Sequence, residues 1–331
     1  MRRTLLPIEV ITDPDHLRRA FMAASRGKRQ RPDQRAFAAD LDRNLDLMRL
    51  GILDGSVAVG QHRRFVIHDP KERTIHAPVF AERVLHHAVM AIAGPAIERS
   101  LIADTFACVT GRGQFAALDR AQDHARHEDW FLKVDIRRYF YSIPHDAVIA
   151  QVRRRFAGPA ALALLERIIR SHEDAPGVGL PIGTLISQHF ANLHLDPVDR
   201  LVTGTLRLRY MRYMDDMVVW GGSRQILSEA LGRMTATITG LGLCWKPEPF
   251  INRTCHGLAI LGWRVFPDSR RLDHRGGQRL NASLKAVEAA VAAGDLNEEA
   301  AQRKTAALFA WAAHGDTHGL RRSLAAHAMD I

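Results

Sequence analysis

The stretch that decides the fold is Met211-Arg-Tyr-Met-Asp-Asp-Met-Val-Val-Trp220. Asp215 and Asp216 stand between two apolar runs rich in β-forming residues, which predicts a hairpin with the aspartates at its tip. Side chains alternate faces along a strand, so adjacent aspartates can share one site only near a bend. Such a carboxylate pair suits a hard cation such as Mg²⁺, but an isolated Asp-Asp is more often a polar turn.

A second segment, residues 131–144, favours the metal interpretation. It opens as a short apolar strand, Phe131 to Val134, which ends at Asp135. Three carboxylates from two strands could hold two metal ions. Such a pair of ions activates an attacking hydroxyl and stabilises in-line displacement at phosphorus.

Composition favours a nucleic-acid partner. The 331 residues carry a formal net charge of +10 with a pI near 10.1, and 47% are hydrophobic. This is ordinary globular composition with a basic excess, which indicates a polyanionic partner before a membrane, although a merely basic protein is the alternative. The three cysteines lack metal-ligand spacing, and neither a signal peptide nor a membrane span is evident. We therefore expect reduced thiols, no membrane partner and a cytoplasmic protein.

Two basic segments could contact phosphate. Strands predicted at Phe65–His68 and Arg73–His76 flank a polar turn, and a hairpin carrying Lys71 and Arg73 could hold a triphosphate. The alternative is surface charge on a hairpin. A dense basic run at residues 26–35 is either a solvated face or a contact with a nucleic-acid backbone.

Together these motifs resemble those of reverse transcriptases. Tyr213-Met214-Asp215-Asp216 is similar to the polymerase signature of that family, and Asp135 is similar to the aspartate of its first palm motif. The resemblance implies that Asp135 and Asp215 are the main metal ligands, that Asp216 completes the acidic site and that the Ile136 backbone contributes a ligand. The implied cofactor is two Mg²⁺ ions, for which Mn²⁺ can substitute.

The resemblance also implies contacts with the incoming nucleotide. Phe140 falls where the family places the ring that excludes a ribose 2′-hydroxyl, and Arg73 falls where an arginine grips the triphosphate, with Lys71 beside it. Ile182-Gly-Thr-Leu-Ile-Ser-Gln188 resembles the motif under the nucleotide and template base, which assigns Ile182, Gly183 and Gln188 to the base pocket. Many group II intron enzymes read Gln-Gly there, whereas the Ile-Gly variant resembles the enzymes of diversity-generating retroelements.

Two further segments follow the hairpin. Ala259–Phe266 resembles the primer-grip segment, which assigns Leu261, Gly262 and Trp263 to a strand pair under the primer end. Lys246 is the candidate for a lysine that the family often carries in this region and that protonates pyrophosphate. Pro249 falls at the usual place of that lysine, so the role is not assigned to Lys246.

The expected fold class is α+β, a right-hand polymerase with fingers, a palm built on an antiparallel sheet and a helical thumb. We expect an N-terminal extension and fingers at residues 1–128, the palm at 129–268 with helices between 146 and 200, and the thumb at 269–331. A plain helical cap on the core is the alternative for the last segment.

The function that this resemblance implies is RNA-directed DNA synthesis on a structured RNA template. Its expected partners are template RNA, a primer or cDNA, dNTPs and a small basic accessory protein of a diversity-generating retroelement. One alternative is a retron-like or phage-defence reverse transcriptase. Another is a non-catalytic RNA-binding or maturase-like protein on the same fold.

Overall fold

Helices and short antiparallel strands alternate along the chain in this computed structural model, which describes residues 3–68 and 72–322. The helices are α1 (Ile8–Ile11), α2 (Pro14–Ala24), α3 (Pro32–Ala39), α4 (Leu41–Asp54), α5 (Phe80–Glu98), α6 (Gln114–His127), α7 (Tyr139–Ser142), α8 (His145–Arg155), α9 (Pro159–Arg170), α10 (Leu185–His194), α11 (Asp196–Arg200), α12 (Arg224–Gly240), α13 (His274–Ala292) and α14 (Glu298–Ala312). The strands are β1 (Thr4–Leu5), β2 (His62–Ile67), β3 (Arg73–Pro78), β4 (Trp130–Asp135), β5 (Phe156–Ala157), β6 (Arg209–Tyr213), β7 (Asp216–Gly221), β8 (Phe250–Arg253), β9 (Leu258–Ile260), β10 (Trp263–Val265) and β11 (Arg270–Leu272). This mixture agrees with the expected α+β class.

The central sheet has four strands in the order β6-β7-β4-β8, and all of its pairs are antiparallel. The predicted hairpin is present as β6 and β7, in which Tyr213 pairs with Asp216. Its strands are rich in β-branched, aromatic and Met side chains, which fit a pleated surface that is covered on both faces.

The alternation of side chains along β7 builds two cores. Met217 and Val219 point into a large core that contains α5 and α10, whereas Val218 and Trp220 point into a second core beside α6 and β10. All four side chains are fully buried. A strand buried on both faces is held in one register, because a slip of one residue would exchange the two sets. The register therefore fixes where Asp216 lies at the end of β7.

A separate two-stranded hairpin, β2 and β3, lies near the motif that begins at Ile182. Ile67 pairs with Arg73 across its end, and the His76 amide donates a 2.7 Å hydrogen bond to the Ile182 carbonyl. The two predicted strands are thus confirmed. Lys71, which the sequence assigns to the nucleotide site, lies outside the described residues.

Helices α13 and α14 pack against each other, and α14 also packs on β10. Leu280 and Leu284 on α13 bury against Ala312 on α14, and Trp311 packs on Trp263 of β10 with the ring centroids 5.2 Å apart. The expected thumb boundary at residue 269 falls between β10 and β11, which are neighbours in a three-stranded sheet. Within residues 3–68 and 72–322, no helix combines the length and apolar character needed to cross a bilayer.

Candidate active site

Two of the three predicted carboxylates are brought together by strand register. Asp135 is the last residue of β4 and pairs directly with Asp216, the first residue of β7. Directly opposed residues of an antiparallel pair project from the same face, with Cβ atoms about 5 Å apart. Lys133 and Val218 form the next-but-one pair toward the sheet centre, so Lys133 also projects from this face. The pairing places two acidic groups and one cation at one end of the sheet.

Asp215 completes the acidic group from the turn between β6 and β7. Met214 adopts a left-handed φ of 58°, which reverses the chain within two residues. A bulky residue at positive φ is an uncommon conformation that the surrounding structure must enforce. The bend lets Asp215 approach Asp135 and Asp216, as the sequence requires for adjacent aspartates to share a site.

The three carboxylates lie close together, and Asp215 and Asp216 are largely shielded from solvent. Burial, followed by repulsion from Asp135 and Asp216, raises the pKa of Asp215 to about 6. Burial also raises the pKa of Asp216, with Asp135 adding to the effect and Lys133 and Lys246 opposing it. Negative charges at close range in a low-dielectric site repel each other strongly, and a cation shared between them offsets this repulsion. The arrangement therefore favours binding of positive charge.

Two lysines provide part of that charge. The Lys246 ammonium forms an ion pair with Asp135 Oδ2, and the Lys246 amide donates a 2.8 Å bond to the Asp135 carbonyl. Lys133 Nζ lies 3.5 Å from Asp216 Oδ1 and donates to the Ala259 carbonyl at 2.9 Å. The sequence named Lys246 without assigning it a role and gave no signal for Lys133, because only strand pairing brings it to Asp216.

The donor set fits a hard divalent cation. Asp135 Oδ1 is buried and has no hydrogen-bond partner among residues 3–68 and 72–322, which is costly for a carboxylate oxygen unless another ligand supplies the missing interaction. Ile136 lies opposite Trp245 in an antiparallel bridge. Its two hydrogen bonds run from the Arg137 amide to the Cys244 carbonyl and from the Lys246 amide to the Asp135 carbonyl, so neither bond uses the Ile136 carbonyl. Carboxylate and carbonyl oxygens are the ligands that Mg²⁺ prefers. These residues therefore fit the expected metal.

A buried ion pair that sequence reasoning missed supports the turn. The Arg212 guanidinium on β6 donates two hydrogen bonds to the Asp199 carboxylate on α11, from Nε at 2.8 Å and from Nη2 at 2.6 Å. Neither side chain is exposed. Arg212 also donates to the Asn192 amide oxygen at 2.8 Å and to the Met214 carbonyl at 3.1 Å. Burial alone would lower the pKa of Arg212, but Asp199 raises it above its ordinary value, so the guanidinium stays charged. The only sequence signal was a basic residue inside an apolar strand.

Phe140 links the aspartate segment to the motif at Ile182. Its ring packs edge-on against the buried Tyr139 with the centroids 5.6 Å apart, and its carbonyl accepts a 2.8 Å bond from the Leu180 amide. Tyr139 is anchored by a hydroxyl that donates to the Ala191 carbonyl at 2.5 Å. The half-buried Phe140 ring is thus held on a fixed backbone five residues after Asp135.

The motif at Ile182 and Gly183 packs against β3. A Cβ atom on Gly183 would lie 2.8 Å from Ile75 Cγ2, and the φ of 108° is one that other residues rarely adopt. Glycine is therefore required there for close approach of two segments. Arg73 lies two residues from Ile75, so both side chains project from the face of β3 that meets Gly183. Gln188 is half-buried on α10.

The residues that the resemblance assigns to a primer grip lie in the predicted strand pair. Leu261 and Gly262 form the turn between β9 and β10, and both have positive φ values. Gln114 on α6 donates a 2.8 Å bond to the Leu261 carbonyl, and Trp263 is fully buried at the start of β10. Lys133, which faces Asp216, donates to Ala259 on β9. Strand β9, which leads into this turn, is therefore connected to the acidic site by the Lys133 side chain.

Comparison with known proteins identifies the family to which the chain belongs. Two curated proteins of Saccharomyces cerevisiae are similar: the putative COX1/OXI3 intron 2 protein, 25% identical over 91 residues, and the putative COX1/OXI3 intron 1 protein, 29% identical over 87 residues. These segments cover 25% and 24% of this chain and only 11% and 10% of the relatives. Residues 70–249, just over half of the chain, match the family described as reverse transcriptase (RNA-dependent DNA polymerase). This chain, with its three carboxylates inside the matched segment, belongs to that family.

Proposed function

We propose that this protein is an RNA-directed DNA polymerase whose acidic site consists of Asp135, Asp215 and Asp216. The observation that carries the proposal is the convergence of these carboxylates at one end of the central sheet, where Asp135 Oδ1 is buried and accepts no hydrogen bond from the described part of the chain. Family membership implies a right-hand polymerase fold. We assign the fingers to residues 1–128, the palm to 129–268 and the thumb to 269–331.

In the proposed reaction, the primer 3′-hydroxyl attacks the α-phosphate of a dNTP and pyrophosphate leaves. Two Mg²⁺ ions held by the three aspartates and the Ile136 carbonyl would lower the pKa of the attacking hydroxyl and stabilise charge on phosphorus. Asp135 and Asp216 are fixed by β-sheet register, so the carboxylates need little rearrangement to act. Lys246 is a cation held at the same site and must release Asp135 Oδ2 when that oxygen becomes a ligand.

Substrate binding follows from the elements around the acidic site. We assign the triphosphate to Arg73, with Lys71 beside it, because a guanidinium binds phosphate oxygens with two parallel hydrogen bonds. Phe140 would exclude a ribose 2′-hydroxyl by steric clash. Ile182, Gly183 and Gln188 would shape the base pocket. Leu261, Gly262 and Trp263 would support the primer end from the turn between β9 and β10.

We further propose that the biological role is that of a diversity-generating retroelement, in which a template RNA is copied into mutagenised cDNA. Ile182 supports this assignment because an aliphatic residue cannot hydrogen-bond near the nucleotide, where many intron enzymes carry glutamine. Selection of the incoming base would then depend on shape and pairing alone. The partners would be a structured template RNA and a small basic accessory protein.

Two alternatives use the same fold. A retron-like or phage-defence enzyme would copy its own RNA accurately. The other is a non-catalytic, maturase-like RNA-binding protein. The similarity to two yeast proteins that are named as intron proteins favours it over an unrelated function. The three intact carboxylates favour catalysis.

Primer extension tests the proposal directly. Purified protein would be supplied with Mg²⁺, dNTPs and a primed RNA template, alone and with its neighbouring RNA and accessory protein, and the cDNA would be sequenced. An Asp215→Ala, Asp216→Ala double variant is the control for activity at this site. We expect cDNA from the wild type only, with errors concentrated opposite one template base.

Each other outcome selects a different function. Accurate cDNA would retain the polymerase and replace the mutagenic role by the retron or defence alternative. Equal inactivity of wild type and double variant, with cognate RNA and accessory protein present, would refute catalysis and favour the RNA-binding alternative.

A further inference from the structure

Three histidines meet away from the acidic site. His62, His76 and His172 each offer a ring nitrogen, and these three nitrogens all lie within 4.8 Å of one another. The imidazole rings of His76 and His172 are 4.4 Å apart between centroids, and His62 lies 6.0 and 6.2 Å from them. The sequence gave no indication of this group, because 110 positions separate its first and last members.

The three rings are enclosed by protein. His76 and His172 are 5% and 8% exposed, and the side chain of His62 is 5% exposed. His62 Nε2 is buried and, among the residues that the structure describes, makes no hydrogen bond of good geometry, although Glu82 Oε1 lies 3.5 Å away. Buried ring nitrogens need a partner, and a cation shared among the three rings would supply one.

The backbone brings these residues together from three different segments. His62 begins β2, His76 lies on β3 and His172 follows the end of α9. Gly60 makes this approach possible, because a Cβ atom there would lie 2.7 Å from the Ser171 carbonyl oxygen and its φ is 82°. The close contact between Gly60 and Ser171 places the start of β2 directly against the residue before His172.

Carboxylates orient two of the rings from behind. Asp174 Oδ2 lies 3.1 Å from His172 Nε2, and Glu82 Oε1 lies 3.5 Å from His62 Nε2. Glu82 is itself fixed by bonds from the Gly60 and Gln61 amides at 2.9 and 2.6 Å. Carboxylates in this position are a recurrent feature of histidine-ligated metal sites, where they set ring orientation and raise ligand basicity.

We propose that His62, His76 and His172 bind one Zn²⁺ ion. Imidazole is a ligand for Zn²⁺ and other late transition metals, whereas Mg²⁺ prefers the oxygen ligands of the acidic site. Tetrahedral Zn²⁺ with bonds of about 2.0–2.1 Å spaces its nitrogens roughly 3.3 Å apart. The three nitrogens, which lie within 4.8 Å of one another, would have to approach by at most about 1.5 Å to reach this spacing.

The bound ion would connect three segments, one of which, β3, carries Arg73 of the proposed nucleotide site. It would join both strands of the β2–β3 hairpin to the chain after α9. His76 also donates its amide to the Ile182 carbonyl, so the ion would hold β3 in place against Ile182 and Gly183. This is a structural role beyond the proposed polymerase chemistry, and it can fail while that chemistry stands.

Metal analysis of the full-length protein tests the proposal. The protein would be stripped with a chelator, re-equilibrated with Zn²⁺ in excess Mg²⁺ and assayed for bound zinc and for affinity by competition with a chromophoric chelator. We expect one tightly bound Zn²⁺ per chain. His172→Gln and His76→Gln should abolish tight binding, and Asp174→Asn should weaken it by roughly 10–100-fold.

Controls separate this site from other zinc ligands. His256→Gln removes an exposed histidine outside the cluster, and Asp215→Asn alters the acidic site; both should retain one tightly bound zinc. The proposal is overturned if stripped wild type takes up no tightly bound zinc, a result that needs no variant to fold. It is equally overturned if Asp215→Asn abolishes tight binding while His172→Gln, shown folded by circular dichroism, retains it.

Discussion

At the scale of single residues, the carboxylates of the acidic site repel one another. Asp215 has a pKa of about 6 because it is buried beside Asp135 and Asp216. An aspartate in the unfolded chain has a pKa of about 4. The folded state therefore binds this proton more tightly, and its stability falls as pH rises from about 4 to about 6.

We predict that Asp215→Asn stabilises the metal-free protein. Above pH 6 the variant loses a repelled charge, so its Tm in a chelator should exceed that of the wild type by on the order of 2 °C. Below pH 4 the wild-type carboxyl is protonated and the two curves should meet. Differential scanning fluorimetry across pH measures this, with the exposed Asp295→Asn as the control. An equal or lower Tm for Asp215→Asn at pH 8 would contradict the account.

Lys246 shows how a side chain that the sequence offered only as a candidate acquires a position in the site. Its ammonium contacts Asp135, yet the two residues lie 111 positions apart. The contact depends on the backbone pairing of Cys244–Lys246 with Asp135–Arg137, which no local pattern indicates. Lys246 is thus a member of the site that only the strand arrangement identifies.

At the scale of elements, the hairpin that carries Asp215 is held from below by Arg212. This side chain joins β6 to α10 through Asn192 and to α11 through Asp199, and it also binds the carbonyl of Met214 in the turn. Tyr210 adds a 2.9 Å hydrogen bond to the same Asp199 carboxylate. The network fixes the turn through side chains that are buried in the protein interior.

We predict that Arg212→Met destabilises the protein by about 3–5 kcal/mol, because it leaves Asp199 charged and buried without its partner. Chemical denaturation at fixed pH measures the loss. The control is the double variant Arg212→Met, Asp199→Leu, which removes both charges and should recover part of the stability. A loss below about 1 kcal/mol for Arg212→Met would show that this ion pair does not support the turn.

At the scale of the whole molecule, the net charge of +10 favours binding to a polyanion such as nucleic acid. Exposed arginines in the segment before α3, including Arg29 and Arg31, lie in the basic run identified from sequence. Each phosphate neutralised by the protein releases condensed counterions, so affinity depends steeply on salt.

We predict that Arg29→Gln, Arg31→Gln weakens RNA binding and lowers the salt slope, d log K/d log[salt], by about 1–2. Fluorescence anisotropy with a labelled RNA over a salt series measures both quantities. The matched control is Arg224→Gln, Arg233→Gln, which removes the same charge from the exposed face of α12. Equal slopes for the two double variants would assign the effect to net charge and contradict a specific backbone contact.

Much of the architecture was predictable from local pattern. The apolar runs around Asp215 and Asp216 predicted β6 and β7, and the polar turn after His68 predicted the hairpin of β2 and β3. Asp135 was recognised at the end of β4 for the same reason. These features depend on periodicity within one element, which neighbouring residues encode directly.

The sequence by itself indicated the reverse transcriptase family and singled out three aspartates as candidates, because both are carried by short contiguous motifs. Tertiary structure alone decided which charges face them: Lys246 at Asp135, Lys133 at Asp216 and Arg212 beneath the turn. It also decided that His62, His76 and His172 share one site. Periodicity states which face of an element a residue occupies, but only packing between elements sets the distances across which charges and ligands act.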